Sequence, residues 1–556
     1  MTKKQKLLFV GILFLAVFFR LFLINQLPGG LFPDEAANGL DIISMQQGDL
    51  QPFYERGNGR EALFFYMQWA SVEAFGKTPF AHHLVSALAG IFTVIITFFV
   101  TRRLVLLADE NGNKDRATWI ALLAMFMVAV STWHIVLSRT AFRANLIPLF
   151  AALTLYFMVA AVQVTTKAKR YWMAALTGIA FALGFYTYIA YRILAPAIGI
   201  MVLWPLLVDI FKQPRFVQIK KYFAPTMLAG LAFVIFIFPL AHYFYTHPGS
   251  FVGRSGQVSV FNPELNQGDL VGTILHVTGL SLKAYFWDGD LNWRHNVSGE
   301  PFLSIIISPF LIIGMAMVMW FAIRYTFLPH KHPHDWTYFA LAGWFWSMLL
   351  PVITTAEGIP HGLRAIGTIP VVFIITAIGL YWVVEKAHGI TNKYWPLLPP
   401  WKQKFIIFLK TLLIASFVAA LASQAYILYF IKIANNPEYA YAFRSDLTVV
   451  TEYLNEFGEK ENTYLILDKF SKQTVDYMTF VDGPNPSNPR NNPYTQVDPE
   501  NSWEYSEYKN GDKIVFTQSS LFDIRKFKEY HPNARLDIEK RNKFGQTVMA
   551  VYIYQE

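Results

Sequence analysis

The chain contains no cysteine. Disulfides, thiolate metal sites and cysteine nucleophiles are excluded, and any exported region must fold without covalent staples. Charge is also scarce: Asp, Glu, Lys and Arg make up 15% of 556 residues, against 54% hydrophobic. A soluble enzyme of this length would carry nearer a quarter charged residues, so that class is excluded too. The formal charge of +9 does not signal nucleic-acid binding, because the basic residues form no stripe and fall in short segments between apolar runs. Phe 49, Tyr 28 and Trp 15 are abundant, as expected at membrane interfaces and equally in a sugar-binding cleft.

Long apolar runs dominate. Lys3, Lys4 and Lys6 precede Leu7 to Ile24, which is long and lacks a following small-residue cleavage site, and so reads as an uncleaved first span. Further runs near 81–101, 117–137, 144–163, 172–190, 193–211, 222–244, 302–323, 336–354, 365–384 and 405–432 are each long enough to cross a hydrocarbon core of roughly 30 Å. The pattern predicts a polytopic α-helical membrane protein of about eleven spans over residues 1–432. Cations follow every even-numbered span (Arg102, Arg103, Lys114 and Arg116; Lys167, Lys169 and Arg170; Lys212, Arg215, Lys220 and Lys221; Arg324 and Lys331; Lys386, Lys393, Lys402 and Lys404). Those loops are therefore expected in the cytoplasm, with the N-terminus inside and the C-terminal region outside a plasma membrane. Residues 433–556 change character: β-type runs at Tyr464 to Leu467, Lys513 to Thr517 and Val548 to Tyr554 alternate with polar helical stretches such as Leu447 to Phe457. This predicts a small soluble α/β domain, with a Pro- and Asn-rich loop from Asp482 to Asn501.

Against that topology, the outer segments hold the chemistry. The first outer loop, 25–80, contains Phe32-Pro33-Asp34-Glu35-Ala36, then Asn58-Gly59-Arg60-Glu61 ahead of an amphipathic stretch from Leu63 to Phe75. Adjacent carboxylates beside a span are costly to bury unless paired and so usually mark a site, and a carboxylate there can act as a base. The other acid can shift its pKa, place an acceptor or hold a divalent ion. The outer turns also carry Arg139, Arg143, Arg192 and Arg364, cations that work against the topology signal and suit an anionic ligand or an acidic partner. Arg139 and Arg143, four apart, would share one face of a helix and could bind phosphate with paired hydrogen bonds. Tyr188 lies among three tyrosines just before Arg192. The large outer loop, 245–301, gathers Asp288, Asp290, Asn292, Trp293, Arg294 and His295, a set suited to a sugar. Asn296-Val297-Ser298 matches a glycosylation acceptor pattern that matters only in a secretory pathway. Glu357, His361 and Arg364 lie together between two later spans; with Glu35, Glu357 and His361 are the candidates for a divalent metal.

Taken in order, Phe32-Pro33-Asp34-Glu35-Ala36, Asn58-Gly59-Arg60-Glu61, Ser138 to Arg143, Tyr186-Thr187-Tyr188, Asn292 to Asn296 and Pro360 to Arg364 resemble the membrane-embedded GT-C glycosyltransferases. The likeness is to the dolichyl-phosphate-mannose-protein mannosyltransferase family and its bacterial aminoarabinose-transferase relatives, and it covers residues 1 to about 430. It implies a sugar donor on polyprenyl phosphate, membrane lipids as surroundings, and a protein, lipid or glycan acceptor. It also implies an inverting transfer with Asp34 as base and Glu35 beside it. Arg60, Arg139, Arg143, Arg192, His361 and Arg364 would face the donor phosphate, and Glu61, Tyr188, Asp288, Asn292, Arg294 and His295 the sugar or acceptor. No cofactor is required; a divalent metal is compatible. The rival readings are a lipid-linked sugar flippase and a non-catalytic envelope assembly protein.

Overall fold

The computed structural model describes residues 1–210, 217–252, 258–329, 331–459, 462–479 and 492–556. The expected cations Lys212 and Arg215 lie outside these residues, as does the first half of the loop predicted from Asp482 to Asn501. The chain divides into two compact units. One comprises Met1–Phe22, Ser86–Ser138 and Phe142–Ile433; the other comprises Leu23–Val85, Arg139–Ala141 and Ala434–Glu556.

The first unit is helical. In the described chain eight helices are long and apolar enough to cross a membrane, and a ninth span forms if Lys114–Ala129 and Thr132–Ser138, bent by 60°, are taken together. The two remaining expected spans are also helices, Lys3–Leu21 and Lys167–Gly184, and carry more terminal charge. This is a multi-pass membrane protein. The helix expected from 302 starts at Ser308, because Phe302–Ile307 turn before Pro309 opens the helix. Between lipid-embedded helices the hydrophobic effect supplies little attraction, and small residues allow close packing instead. Ser308–Phe327 and Ile369–Tyr394 meet through Gly314 and Gly379, where a methyl group would overlap the backbone of Ile375 and Phe310 respectively.

The bend has a local explanation. Breaking a helix orphans the carbonyls of its last turn. Arg20 donates to the carbonyls of Val128 and Ala129, each at 3.1 Å, while the Ser131 hydroxyl caps the restart by accepting from His134 N at 3.3 Å. Arg20 is fully buried, with His134 Nδ1 at 2.8 Å.

The second unit contains the first-loop elements and the C-terminal domain. A helix spans Pro33–Gln46. A short antiparallel ladder follows between β1 (Phe53–Tyr54) and β2 (Arg60–Glu61), then the helix Leu63–Phe75. The stretch around Asp34 was expected as loop; Pro at the first helical position and two acids in the first turn explain why it is helical. The C-terminal domain is a mixed sheet of β3 (Thr463–Ile466), β4 (Thr495–Val497), β5 (Lys513–Thr517), β6 (Arg535–Arg541) and β7 (Thr547–Ile553), ordered β4-β3-β5-β7-β6. β3 runs parallel to β4 and β5, and β7 antiparallel to β5 and β6. Alternate residues feed two cores: Leu465, Val515, Met549 and Val551 on one face, and Tyr464, Ile466, Ile514 and Phe516 on the other. The helix Asp446–Phe457 covers the first face. A second helix, Lys469–Thr479, packs on the helix Pro33–Gln46 through a cluster of Leu31, Ala36, Leu40, Ile43 and Tyr477.

Candidate active site

In the second unit, the two adjacent acids at the start of helix Pro33–Gln46 have opposite environments. Asp34 is exposed, and among the described residues it has no hydrogen bond or ion pair. Glu35 is fully buried. Its Oε2 accepts from Phe32 N at 2.9 Å, capping the N-terminus of the helix, and its Oε1 accepts from Ala141 N at 2.6 Å; His83 Nε2 lies 3.5 Å away. One turn on, Asn38 Nδ2 donates to the Ala141 carbonyl at 3.2 Å. Glu35 and Asn38, three apart on one helix face, thus hold both main-chain polar groups of Ala141. Arg139, fully buried, donates to Leu27 O at 3.0 Å. Both oxygens of Glu35 are therefore used within the protein, which corrects the expectation that it holds an acceptor.

Arg60 also takes a structural place. It pairs with buried Asp41, donates to Asn38 Oδ1 at 2.8 Å and to Arg56 O at 3.0 Å, and lies over the Phe65 ring. Asp41 pairs in addition with Arg56 at 2.8 Å. Of the six groups expected at phosphate, Arg60 and Arg139 are buried with protein partners, which corrects that assignment for both. Glu61 is buried on β2 opposite Phe53.

The remaining candidates belong to the first unit. Arg143 was expected to share a helical face with Arg139, but the helix ends at Ser138 and Arg143 opens a separate 3-10 turn. Its guanidinium lies 5.0 Å from the Tyr188 ring centre. Arg192 lies over Phe244 and Phe251, each at 4.8 Å, and donates to Phe251 O at 2.8 Å. Asp288, largely exposed, pairs with Lys283 and stays apart from the polar turn. Asp290 is buried and central: Oδ1 accepts from Asn292 N at 2.8 Å, and Oδ2 from Gly362 N at 2.7 Å and His295 Nδ1 at 3.0 Å. Trp133 Nε1 donates to the Gly362 carbonyl at 3.2 Å, so Gly362 is fixed on both sides next to His361. The rings of His295 and His361 stack at 4.5 Å. Asn292 Oδ1 accepts from Arg294 N at 3.0 Å and Nε at 3.2 Å. Arg364 donates to Thr355 Oγ1 at 3.1 Å and Glu357 O at 2.7 Å. Asn296 is buried with its amide on Glu300 O at 2.5 Å, so it is not placed as a glycan acceptor.

Asp290, His295 and His361 each offer a ligand atom, all within 4.8 Å of one another. Burial lowers the His295 pKa against the opposing effect of its hydrogen bond to Asp290, and so favours the neutral ring. With Nδ1–H on Asp290, Nε2 is left as the lone-pair nitrogen, a usual way of orienting a metal-binding histidine. Asp290 then orients His295, and the imidazoles of His295 and His361 are the donors left for a divalent ion such as zinc. Of the expected metal candidates, His361 joins this group, whereas Glu35 and Glu357 do not.

The sequence reading missed Asn38, Asp41, Tyr477 and the backbone of Ala141. Asn38 and Asp41 follow Glu35 at three-residue steps, a signal visible once the helix is recognised.

A family model described as dolichyl-phosphate-mannose-protein mannosyltransferase matches residues 63–251. No curated protein matches the chain by sequence. Among solved structures, ArnT from Cupriavidus metallidurans bound to undecaprenyl phosphate is similar with TM-score 0.58 and 12% identity, over 99% of this chain and 98% of that one. The apo form of the same protein gives TM-score 0.51 and 12% identity, over 98% and 97%. An Archaeoglobus fulgidus oligosaccharyltransferase in the apo form gives TM-score 0.46 and 13% identity, over 85% of this chain and 64% of that one. The fold is the GT-C fold, with a small C-terminal sheet domain.

Proposed function

We propose that the protein is an inverting glycosyltransferase that moves a sugar from a polyprenyl-phosphate donor to an acceptor hydroxyl at the outer face of the plasma membrane. The observation that carries this reading is the contrast within one helical turn. Glu35 and, farther along, Asp41 are buried and engaged, whereas Asp34 is exposed and, among the described residues, unpartnered, on a helix that those contacts hold in place. A carboxylate held in this way is preorganised to take a proton.

The acceptor hydroxyl gives its proton to Asp34 as its oxygen bonds to the anomeric carbon. The bond from that carbon to the phosphate oxygen breaks, and polyprenyl phosphate leaves with the electron pair. Arg143, Arg192 and Arg364, with His361, are assigned to the departing phosphate; fixed cations aimed at developing charge often supply the largest rate term. Asn292, Arg294 and His295 are assigned to sugar or acceptor recognition. A divalent ion on His295 and His361 would add positive charge there. The lipid bound in the ArnT structure supports the choice of donor, and the basic even-numbered loops support a C-terminal domain outside the cell.

The test replaces Asp34 by Asn in source cells lacking the native chain, with envelope glycoconjugates read by mass spectrometry. General-base removal costs about 10²–10⁴-fold, so the product is expected to vanish while the purified variant still gains thermal stability on adding undecaprenyl phosphate. Normal glycoconjugates in the Asp34→Asn strain would remove the base assignment and favour the flippase reading.

A further inference from the structure

The C-terminal domain packs closely on the acid-bearing helix, most tightly at Gly39. A methyl group on Gly39 would overlap the Tyr477 ring at Cε2 and Cζ, so the ring lies directly against the helix backbone. Tyr477 is fully buried, and its hydroxyl is 2.8 Å from His82 Nε2. Burial pushes that hydroxyl above the usual tyrosine range, so it keeps its proton; Gln68 Nε2 donates to His82 Nδ1 at 3.0 Å, which leaves His82 Nε2–H to donate to the hydroxyl oxygen. His83, next in the chain, is the residue beside Glu35. Nearby, Thr474 Oγ1 donates to Leu31 O at 3.1 Å and Phe470 packs on Phe32 at 5.7 Å. A methyl group on Gly30 would likewise meet the backbone of Phe443 and Ser445. Contacts from the C-terminal domain thus reach both the entry to the helix and its middle.

We propose that Tyr477 is a positioning residue for the transfer: seated on Gly39 and bonded to His82, it sets the pose of helix Pro33–Gln46 and hence the place of the Asp34 carboxylate. This rests on the reading of Asp34 as the base. Asp34 lies five residues before Gly39, roughly 7.5 Å along a rigid helix, so a shift at Gly39 is carried to the carboxylate. Relieving the overlap with one methyl group requires movement of about 1 Å, and misplacement on that scale costs on the order of 100-fold in a reaction that depends on held geometry. The domain then contributes to catalysis without supplying a group that touches substrate.

The experiment expresses Gly39→Ala, Tyr477→Phe, Gly39→Ala/Tyr477→Ala and Asp34→Asn in source cells lacking the native chain. Glycoconjugate formation is measured at matched protein level, and undecaprenyl phosphate is the thermal-shift probe on purified protein. Gly39→Ala is expected to lower glycoconjugate formation by 10- to 100-fold with the lipid-induced shift retained. The double variant, which restores room for the methyl group, is expected to recover at least fivefold of that loss. Tyr477→Phe keeps the ring and removes only the bond to His82; a loss of at least threefold is expected, and it decides the matter if Gly39→Ala does not fold. Wild-type output from both Gly39→Ala and Tyr477→Phe, with Asp34→Asn inactive, overturns this inference alone. An active Asp34→Asn overturns the underlying reading, whatever Gly39 does.

Discussion

Replacing Glu35 by alanine removes two acceptors at once. The main-chain N–H groups of Phe32 and Ala141 both end on this carboxylate, at 2.9 and 2.6 Å, and the side chain is fully buried. An orphaned buried donor costs about 1–3 kcal/mol, and two at the lower part of that range are taken together. A local destabilisation of roughly 3 kcal/mol follows, equivalent to an opening equilibrium shifted on the order of 100-fold. Hydrogen exchange read by mass spectrometry is the assay. Peptides covering 31–41 and 139–141 are expected to exchange about 100-fold faster, while the β5 and β7 peptides keep wild-type protection. Glu35→Gln retains one acceptor but turns an amide donor toward the other N–H, so an intermediate effect is expected. Asp34→Ala touches no partner and is expected to leave exchange unchanged while abolishing transfer. If Glu35→Ala exchanges like wild type, the carboxylate does not hold Ala141 and the division of labour between the two acids is refuted.

Two further outcomes follow from the same geometry. Arg60→Met leaves Asp41 buried with Arg56 alone; stability is expected to fall by about 3 kcal/mol, the lower end for a broken buried pair. Undecaprenyl phosphate binding should be unchanged, and weakened binding would return Arg60 to the donor site. Zinc titrated into the solubilised chain is expected to bind at one site that His361→Ala removes and Glu35→Ala or Glu357→Ala retain, as read by calorimetry; retention in His361→Ala would exclude the Asp290, His295 and His361 group.

The helices were legible because a lipid-spanning segment must be long and apolar. All eleven apolar runs fall on helices; ends moved, as at Ser308, where Pro309 rather than hydropathy sets the start, and the run at 117–137 is broken by a 60° bend. The strands Thr463–Ile466, Lys513–Thr517 and Thr547–Ile553 were legible from alternation. Residues 469–479 were not, since Ser471, Thr474 and Thr479 look like surface residues yet are buried. The assignment of cations failed for a different reason. Composition marks an arginine as out of place in an outer turn but does not say whether phosphate, a carbonyl or a carboxylate receives it. Arg139 ends on Leu27 O and Arg60 on Asp41. Conversely, the backbone of Ala141 has no side-chain signature at all, though two side chains of the acidic helix converge on it.

The acidic helix is defined by partners far away in the chain. Glu35 and Ala141 are separated by 106 residues, His82 and Tyr477 by 395, and Leu31 and Thr474 by 443. During synthesis, residues 23–85 emerge long before the domain that seats against them, so the surroundings of Asp34 are completed only when residues 434–556 have folded. A truncation that removes the domain therefore takes away Tyr477, Thr474 and Phe470 together and disturbs the helix that carries the base. Loss of transfer in such a truncation would not distinguish a domain that recognises the acceptor from one that fixes Asp34. Point changes at Gly39 and Tyr477 make that distinction, because they leave every other surface of the domain intact and alter only its contact with the helix and His82.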